Sequence, residues 1–217
     1  MPRQLHLVRH GEVFNPERVL YGRLPGYELS DRGRAMAEAT AAFLADRGRT
    51  IAAIHSSPLE RTQQSADPIA QHTGHAIQLD ERLIEGANAF EGGRMRGPNG
   101  QLRDPKNWWL LRNPWQPSWG EPYEHIVRRM KTAMDDALTQ AEAASLDGDL
   151  VLVTHQLPIW MAHRASRREP LPHDPRARRC ALSSVTTFEK HGGRWIEVEY
   201  ADPAAHLATD AIDVGAV

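Results

Sequence analysis

"LHLVRHGEVFN", residues 5–15, begins as a core strand and stops at four polar or flexible residues. Leu5, Leu7 and Val8 read as the end of a buried strand. Arg9, His10, Gly11 and Glu12 follow without a break. Packing alone gives no reason to place a cation, an imidazole, a glycine and a carboxylate where a core strand ends. A second stretch repeats the pattern. "DGDLVLVTHQ", residues 147–156, is a near-continuous apolar run of the kind buried on both faces of a sheet, and it too ends in a histidine, His155.

Between these two strands the sequence alternates. Residues 30–47 have helical spacing, with Met36, Phe43 and Leu44 on one face, Ser30 as N-cap and Gly48 as stop. "IAAIHSS", 51–57, reads as a short strand. It runs into a helix start in which Ser57 caps, Pro58 takes the first helical position and Glu60 completes a capping box. Residues 76–79 read as a third strand, 120–144 as a long helix, and a further helix follows Pro158. Residues 182–200 read as a hairpin about His191-Gly192-Gly193, and the tail after 201 as loose chain. Strands alternating with helices imply an α/β three-layer sandwich, with a mostly parallel central sheet flanked by helices. The 217 residues suit one domain, 1–217, interrupted at about 86–122 by an insertion rich in Pro and Trp. That insertion reads either as a lid over a substrate or as a satellite cluster packed on the sheet.

A net charge of -2 gives no broad argument for nucleic acid or a membrane surface as partner. The single cysteine, Cys180, permits neither an intrachain disulfide nor a cysteine-based zinc site. The histidines show no metal-ligand spacing. No signal-peptide core and no membrane-length apolar run is present, so the expected location is the cytoplasm.

In open α/β sheets ligands bind beyond the carboxyl ends of the strands. One sheet edge would then collect Arg9, His10, His155 and Arg61, the last from the first turn of the helix after Ser57. A helix N-terminus favours anions, and an arginine fork matches phosphate oxygens bidentately. Neutral imidazole is a competent nucleophile near pH 7. Phosphoryl transfer asks mainly for alignment and for positive charge around the equatorial oxygens. The leaving alkoxide needs a proton, and Glu85 and Glu91 in "RLIEGANAFEGG", 82–93, are the candidate acids.

These residues resemble the histidine phosphatase superfamily, in its phosphoglycerate mutase-like branch. The likeness rests on Arg9-His10-Gly11-Glu12, Asn15, "YGRLPGYELSDRG" (21–33), "SSPLERTQQSA" (56–66), "LIEG" (83–86), "GEPYEHIVRR" (120–129) and "LVTHQ" (152–156), in the family's order. It implies a phosphoglycerate mutase-like fold and makes His10 the phosphorylated nucleophile. It makes Arg9, Arg61 and His155 the phosphate clamp, with His155 also stabilising the transferring group. By the same likeness Asn15 is a phosphate contact, Gly22 lines the substrate pocket, and Glu85 matches the general acid better than Glu91. Gly11 and Glu12 would support the imidazole from behind. No metal and no cofactor is implied. Gln156 stands beside the pocket where the family usually has glycine.

The first expectation is therefore a metal-independent phosphomonoesterase acting on a small phosphate ester through a phosphohistidine. A mutase that returns the phosphoryl group to another oxygen is the alternative. Mutases of the family carry one further residue between nucleophile and asparagine, and a paired-arginine element in the insertion. Here Arg94, Arg96, Arg103 and Arg112 are spread apart. A non-catalytic phospholigand-binding module is the third reading. Arg164, Arg167, Arg168, Arg176, Arg178 and Arg179 against Glu169 and Asp174 make a stretch net basic by four, read as a solvated loop or as an attractor for acidic substrates. An edge strand in the N-terminal half could pair two copies into a homodimer.

Overall fold

The computed structural model describes residues 3–95, 100–111, 119–209, 211 and 213. Six strands form one sheet: β1 (Gln4–Arg9), β2 (Ile51–Ser56), β3 (Ile77–Leu79), β4 (Asp149–Thr154), β5 (Val185–His191) and β6 (Arg194–Ala201). Their spatial order is β3-β2-β4-β1-β5-β6. The first four run parallel, and β5 and β6 join antiparallel at one edge. The α/β three-layer sandwich with a mostly parallel sheet is thus the observed architecture.

Alternation along the strands makes the layers. Leu5, Leu7, Leu150 and Leu152 face α3 (Tyr123–Ala143) and α4 (Gln156–Ser166), where Ile126, Met130 and Met161 meet them. Val8, Ile54, Val151 and Val153 face the opposite way, onto Ala41 and Leu44 of α1 (Asp31–Asp46) and Ala66 and Ile69 of α2 (Glu60–Thr73). β4 is buried along its whole length, which its unbroken apolar sequence requires. Ser30 caps α1 by accepting from Gly33 N at 3.0 Å, an interaction worth about 1 kcal/mol. The β5–β6 turn has positive φ at both Gly192 (55°) and Gly193 (77°), as a two-residue hairpin turn demands.

Three expectations are corrected. The helix after β4 begins at Gln156, with Pro158 inside its first turn where no N–H is needed. The helix after β2 starts at Glu60 with Leu59 at its cap and no side-chain cap, because the Ser57 hydroxyl is engaged elsewhere. The tail after 201 is docked: Ala204 is buried against Met36 and Leu182. The insertion leaves the fold between Asn88 and Gly120, which pair as an isolated antiparallel bridge. Its described part contains a 3-10 segment, Pro105–Leu111, on which Trp108 and Trp109 are exposed. Arg96, Arg112 and Trp115 lie outside the described residues. Among the described residues no helix is long and apolar enough to cross a membrane.

Candidate active site

Parallel pairing places Arg9 opposite Thr154, so the residues that follow, His10 and His155, emerge side by side from neighbouring strands. Their ring centroids are 5.2 Å apart. Both are fully buried. β2, on the other side of β4, delivers Ser57 to the same edge. α2 and α4 both begin there, and Arg61 sits in the first turn of α2.

The His10 ring is fixed by a 2.8 Å hydrogen bond between its Nδ1 and the carbonyl of Gly11. A carbonyl only accepts, so Nδ1 carries the proton and the lone pair lies on Nε2. That Nε2 is buried and has no hydrogen-bond partner. Burial, with Arg61 and Arg9 nearby, pushes the His10 pKa well below its ordinary value, so the ring stays neutral. His155 is neutral for the same reasons, burial first and Arg61 second. Its Nε2 bonds Ser57 Oγ at 2.9 Å and its Nδ1 is buried without a partner.

Two guanidinium groups complete the cluster. Arg61 gives one donor to the Gly22 carbonyl at 2.5 Å and stacks over Tyr21, with its Nε and Nη1 buried and unpartnered. Arg9 is fully buried; its Nη1 donates to the Cys180 carbonyl at 2.6 Å. Its fork also grips the tail carboxylate of Asp213 at 2.5 and 2.8 Å. Burial works against the Arg9 charge, but Asp213 overrides it and raises the guanidinium further above its usual value. Buried, unpartnered nitrogens on both guanidinium groups, beside two helix N-termini, suit a tetrahedral oxyanion.

Glu85 is buried, and its Oε1 accepts from Gly86 N at 2.8 Å. Burial raises its pKa, against the pull of the Gly86 N–H, Arg61, Arg178 and Arg9. A carboxyl held toward its protonated form can give up a proton. Glu91 is half-buried, accepts from Asn88 N at 3.3 Å and lies over Gly22. The Asn15 amide closes a loop, donating to Val19 O at 2.8 Å and accepting from Val19 N at 3.0 Å. Gln156, the first residue of α4, accepts from Arg178.

Beyond His10, Glu12 accepts from the Ser30 hydroxyl at 2.5 Å, which ties the loop after β1 to the start of α1. Gly11 and Gly33 lie so close that a methyl on Gly11 would strike the Gly33 carbonyl, and one on Gly33 the Glu12 carbonyl. Three participants escaped the sequence reading: Ser57 as partner of His155, Tyr21 under Arg61, and Asp213 on Arg9. The "SSPL" stretch carried a signal for the first, but it also reads as a helix start. Asp213 is 204 positions from its partner and carries no local signal.

The profile of the histidine phosphatase superfamily (branch 1) matches residues 5–203. An uncharacterized Mycobacterium tuberculosis protein, Rv0525, is 50% identical over 202 residues, covering 93% of this chain and 97% of its own. A protein of an Enterobacter species named "Probable phosphoglycerate mutase GpmB" is 30% identical over 223 residues, covering 97% of both chains. Among solved structures, the mycobacterial glucosyl-3-phosphoglycerate phosphatase Rv2419c with inorganic phosphate superposes with a TM-score of 0.73 at 25% identity, over 94% of this chain and 99% of that one.

Proposed function

The chain belongs to the histidine phosphatase superfamily (branch 1), and we propose that it hydrolyses a small phosphate monoester through a phosphohistidine at His10. The observation that carries this reading is the His10 ring: anchored at Nδ1, neutral, with a buried, unpartnered Nε2 among Arg9, Arg61 and His155.

In the first half-reaction the Nε2 lone pair attacks phosphorus in line with the ester oxygen. Arg9, Arg61, His155 and the helix N-termini surround the equatorial oxygens, where negative charge is concentrated. The P–O ester bond breaks, and Glu85 gives its proton to the leaving oxygen. In the second, Glu85 as carboxylate takes a proton from water, which attacks the phosphohistidine and frees His10 and inorganic phosphate. Glu91 is only half-buried and is not assigned the acid. No step here calls for a metal, and among the described residues no group of three or more His, Cys, Asp or Glu could hold one. The similarity to a named phosphatase supports the hydrolytic reading. The similarity to a named mutase keeps phosphoryl return to substrate as the competing outcome.

The test is phosphate release from p-nitrophenyl phosphate and from sugar and glycerate phosphates in the presence of EDTA. Isomerisation of 3-phosphoglycerate with its bisphosphate primer is assayed beside it. Release that disappears in His10→Ala supports the phosphatase. Isomerisation without comparable release makes the protein a mutase. Phosphate binding without either activity makes it a binding module.

A further inference from the structure

The stretch from Arg164 to Arg179 is net basic by count, yet its six arginines are not equivalent. Arg164 and Arg167 pair with Glu169 at 3.2 Å each, Arg176 pairs with Asp174 at 2.7 Å, and Arg179 pairs with Glu197. Arg168 is exposed at a turn with φ 58°. Arg178 turns inward instead and makes no ion pair among the described residues. Its Nε donates to His173 Nε2 at 2.9 Å and its Nη1 to Gln156 Oε1 at 3.1 Å.

Both supports are neutral acceptors. His173 donates from Nδ1 to the Leu171 carbonyl at 2.8 Å, which leaves Nε2 to accept. Burial pulls the His173 pKa down to about 4, so the ring does not become a competing cation at neutral pH. Gln156 directly follows His155, so the guanidinium is tied to the site's own helix start. Only two of the five N–H donors of a guanidinium go to these supports. Arg178 lines one cleft with Asn88, Trp119, Glu121, Tyr123 and Leu157, and the Glu121 carboxylate there is already held by Arg23 and Arg129. The Asn88 Nδ2 is buried and unpartnered there, while its Oδ1 accepts from Phe90 N.

The cleft wall includes Ala87 and Asn88, two and three residues beyond Glu85. Arg178 is depressed mainly by burial, and the Glu85 carboxyl is its largest opposing influence. Glu85 faces the leaving oxygen in the proposed reaction, so the cation lies toward the alcohol portion of the ester. A half-buried cation with no ion pair among the described residues is costly, and an incoming anion offsets that cost.

We propose that Arg178, held by Gln156 and His173, is the seat for a second anionic group, a carboxylate or a second phosphate, on the alcohol portion of the substrate. This rests on the phosphatase reading for which end of the substrate faces it. The substrate class is then a phosphorylated hydroxy acid or a bisphosphate, rather than a neutral sugar or alkyl phosphate.

Binding of three non-hydrolysable probes, measured by calorimetry, tests it without requiring turnover: methylphosphonate, 3-phosphonopropionate and propane-1,3-bisphosphonate. The wild-type protein should bind at least one of the two-headed probes about tenfold or more tighter than methylphosphonate. The tighter of the two identifies the second group. In Arg178→Met that ratio should collapse toward one, and Arg178→Lys should recover part of it. Equal binding of all three probes by wild type overturns the proposal, and this arm needs no variant to fold. A ratio that survives in Arg178→Met also overturns it. Absence of phosphate release with the ratio intact would remove the phosphatase reading and leave the seat standing.

Discussion

β1 and β4 carry a buried polar cluster at each end, and the two clusters are built differently. At the amino end, His6 lies 3.5 Å from Asp149, and Asp149 also holds Arg49 at 2.5 Å and accepts from Gln4 N at 2.8 Å. His6 Nδ1 meets Thr187 Oγ1 at 2.9 Å. A carboxylate sits at the centre, and the neighbouring charges close on it. At the carboxyl end, Arg9, Arg61, His10 and His155 crowd together with unpartnered nitrogens. Burial of polar groups is common to both ends and so identifies neither as a site. The distinction lies in how much hydrogen-bonding capacity the chain leaves open: one nitrogen, His6 Nε2, at the amino end, against five on Arg9, His10, Arg61 and His155 at the carboxyl end. The first end is a fastening, and the second is open to a ligand.

That contrast can be broken by paired substitutions. The largest effect is expected for His10→Ala, which should lower turnover of p-nitrophenyl phosphate by at least about 10^3-fold while leaving the thermal midpoint unchanged or higher. Asp149→Ala should do the reverse. Removing the carboxylate strands Arg49 and should cost about 3 kcal/mol in denaturant unfolding, with activity per folded molecule within about twofold. If Asp149→Ala abolished catalysis without loss of stability, the two ends would have been assigned the wrong way round.

Next in size is Glu85→Gln. It should slow alkyl phosphates by about 10^2-fold or more and p-nitrophenyl phosphate far less, since an activated leaving group needs little protonation. The pH profile sharpens this. His10 must be unprotonated to attack, and its lowered pKa moves the acid limb below 6.5. Glu85 must be protonated to act, and its raised pKa sets the alkaline limb above 4.5. Glu85→Gln should therefore remove the alkaline limb of kcat/KM, with the substrate's own titration cancelling between wild type and variant.

Stability should follow pH through the other end. Burial pushes the Asp149 carboxyl up, but hydrogen bonds from Arg49 and the Gln4 N–H, with His6 alongside, override it and hold it below the usual carboxylate range. Its contribution is complete above the unfolded value near 4 and is lost as pH falls from there through the folded value. Asp149→Asn should flatten that acid slope in urea titrations. The smallest effect is expected for Asp213→Asn. Phosphate and the tail carboxylate meet the same Arg9 fork, so the variant should be inhibited by inorganic phosphate a few-fold more strongly.

The layers were legible because their signals are local. Apolar strand runs, the Ser30 cap and the Gly192-Gly193 turn each act within a few residues. The carboxyl edge was legible as a collection of residues, since β1 and β4 both end in histidine. The adjacency of the two rings depends on strand order, which the sequence does not print. Ser57 illustrates the limit. Its position invites a capping role, yet His155, 98 residues away, takes the hydroxyl. The tail reads as loose because alanine and aspartate have no pattern of their own; the shape of the Met36–Leu182 surface decides where Ala204 goes. Counting charges gave the basic stretch its sign but not the direction of Arg178, which follows from two neutral acceptors, only one of them near it in sequence.

The contact between Gly11 and Gly33 has a dynamic consequence. With no side chain between them, the loop after β1 and the start of α1 touch backbone to backbone, and Ser30 N and Phe14 N close the same junction onto Glu12 O and Glu28 O at 2.9 Å each. The loop therefore opens only with the helix, and these amides should exchange with solvent as one slow cooperative group.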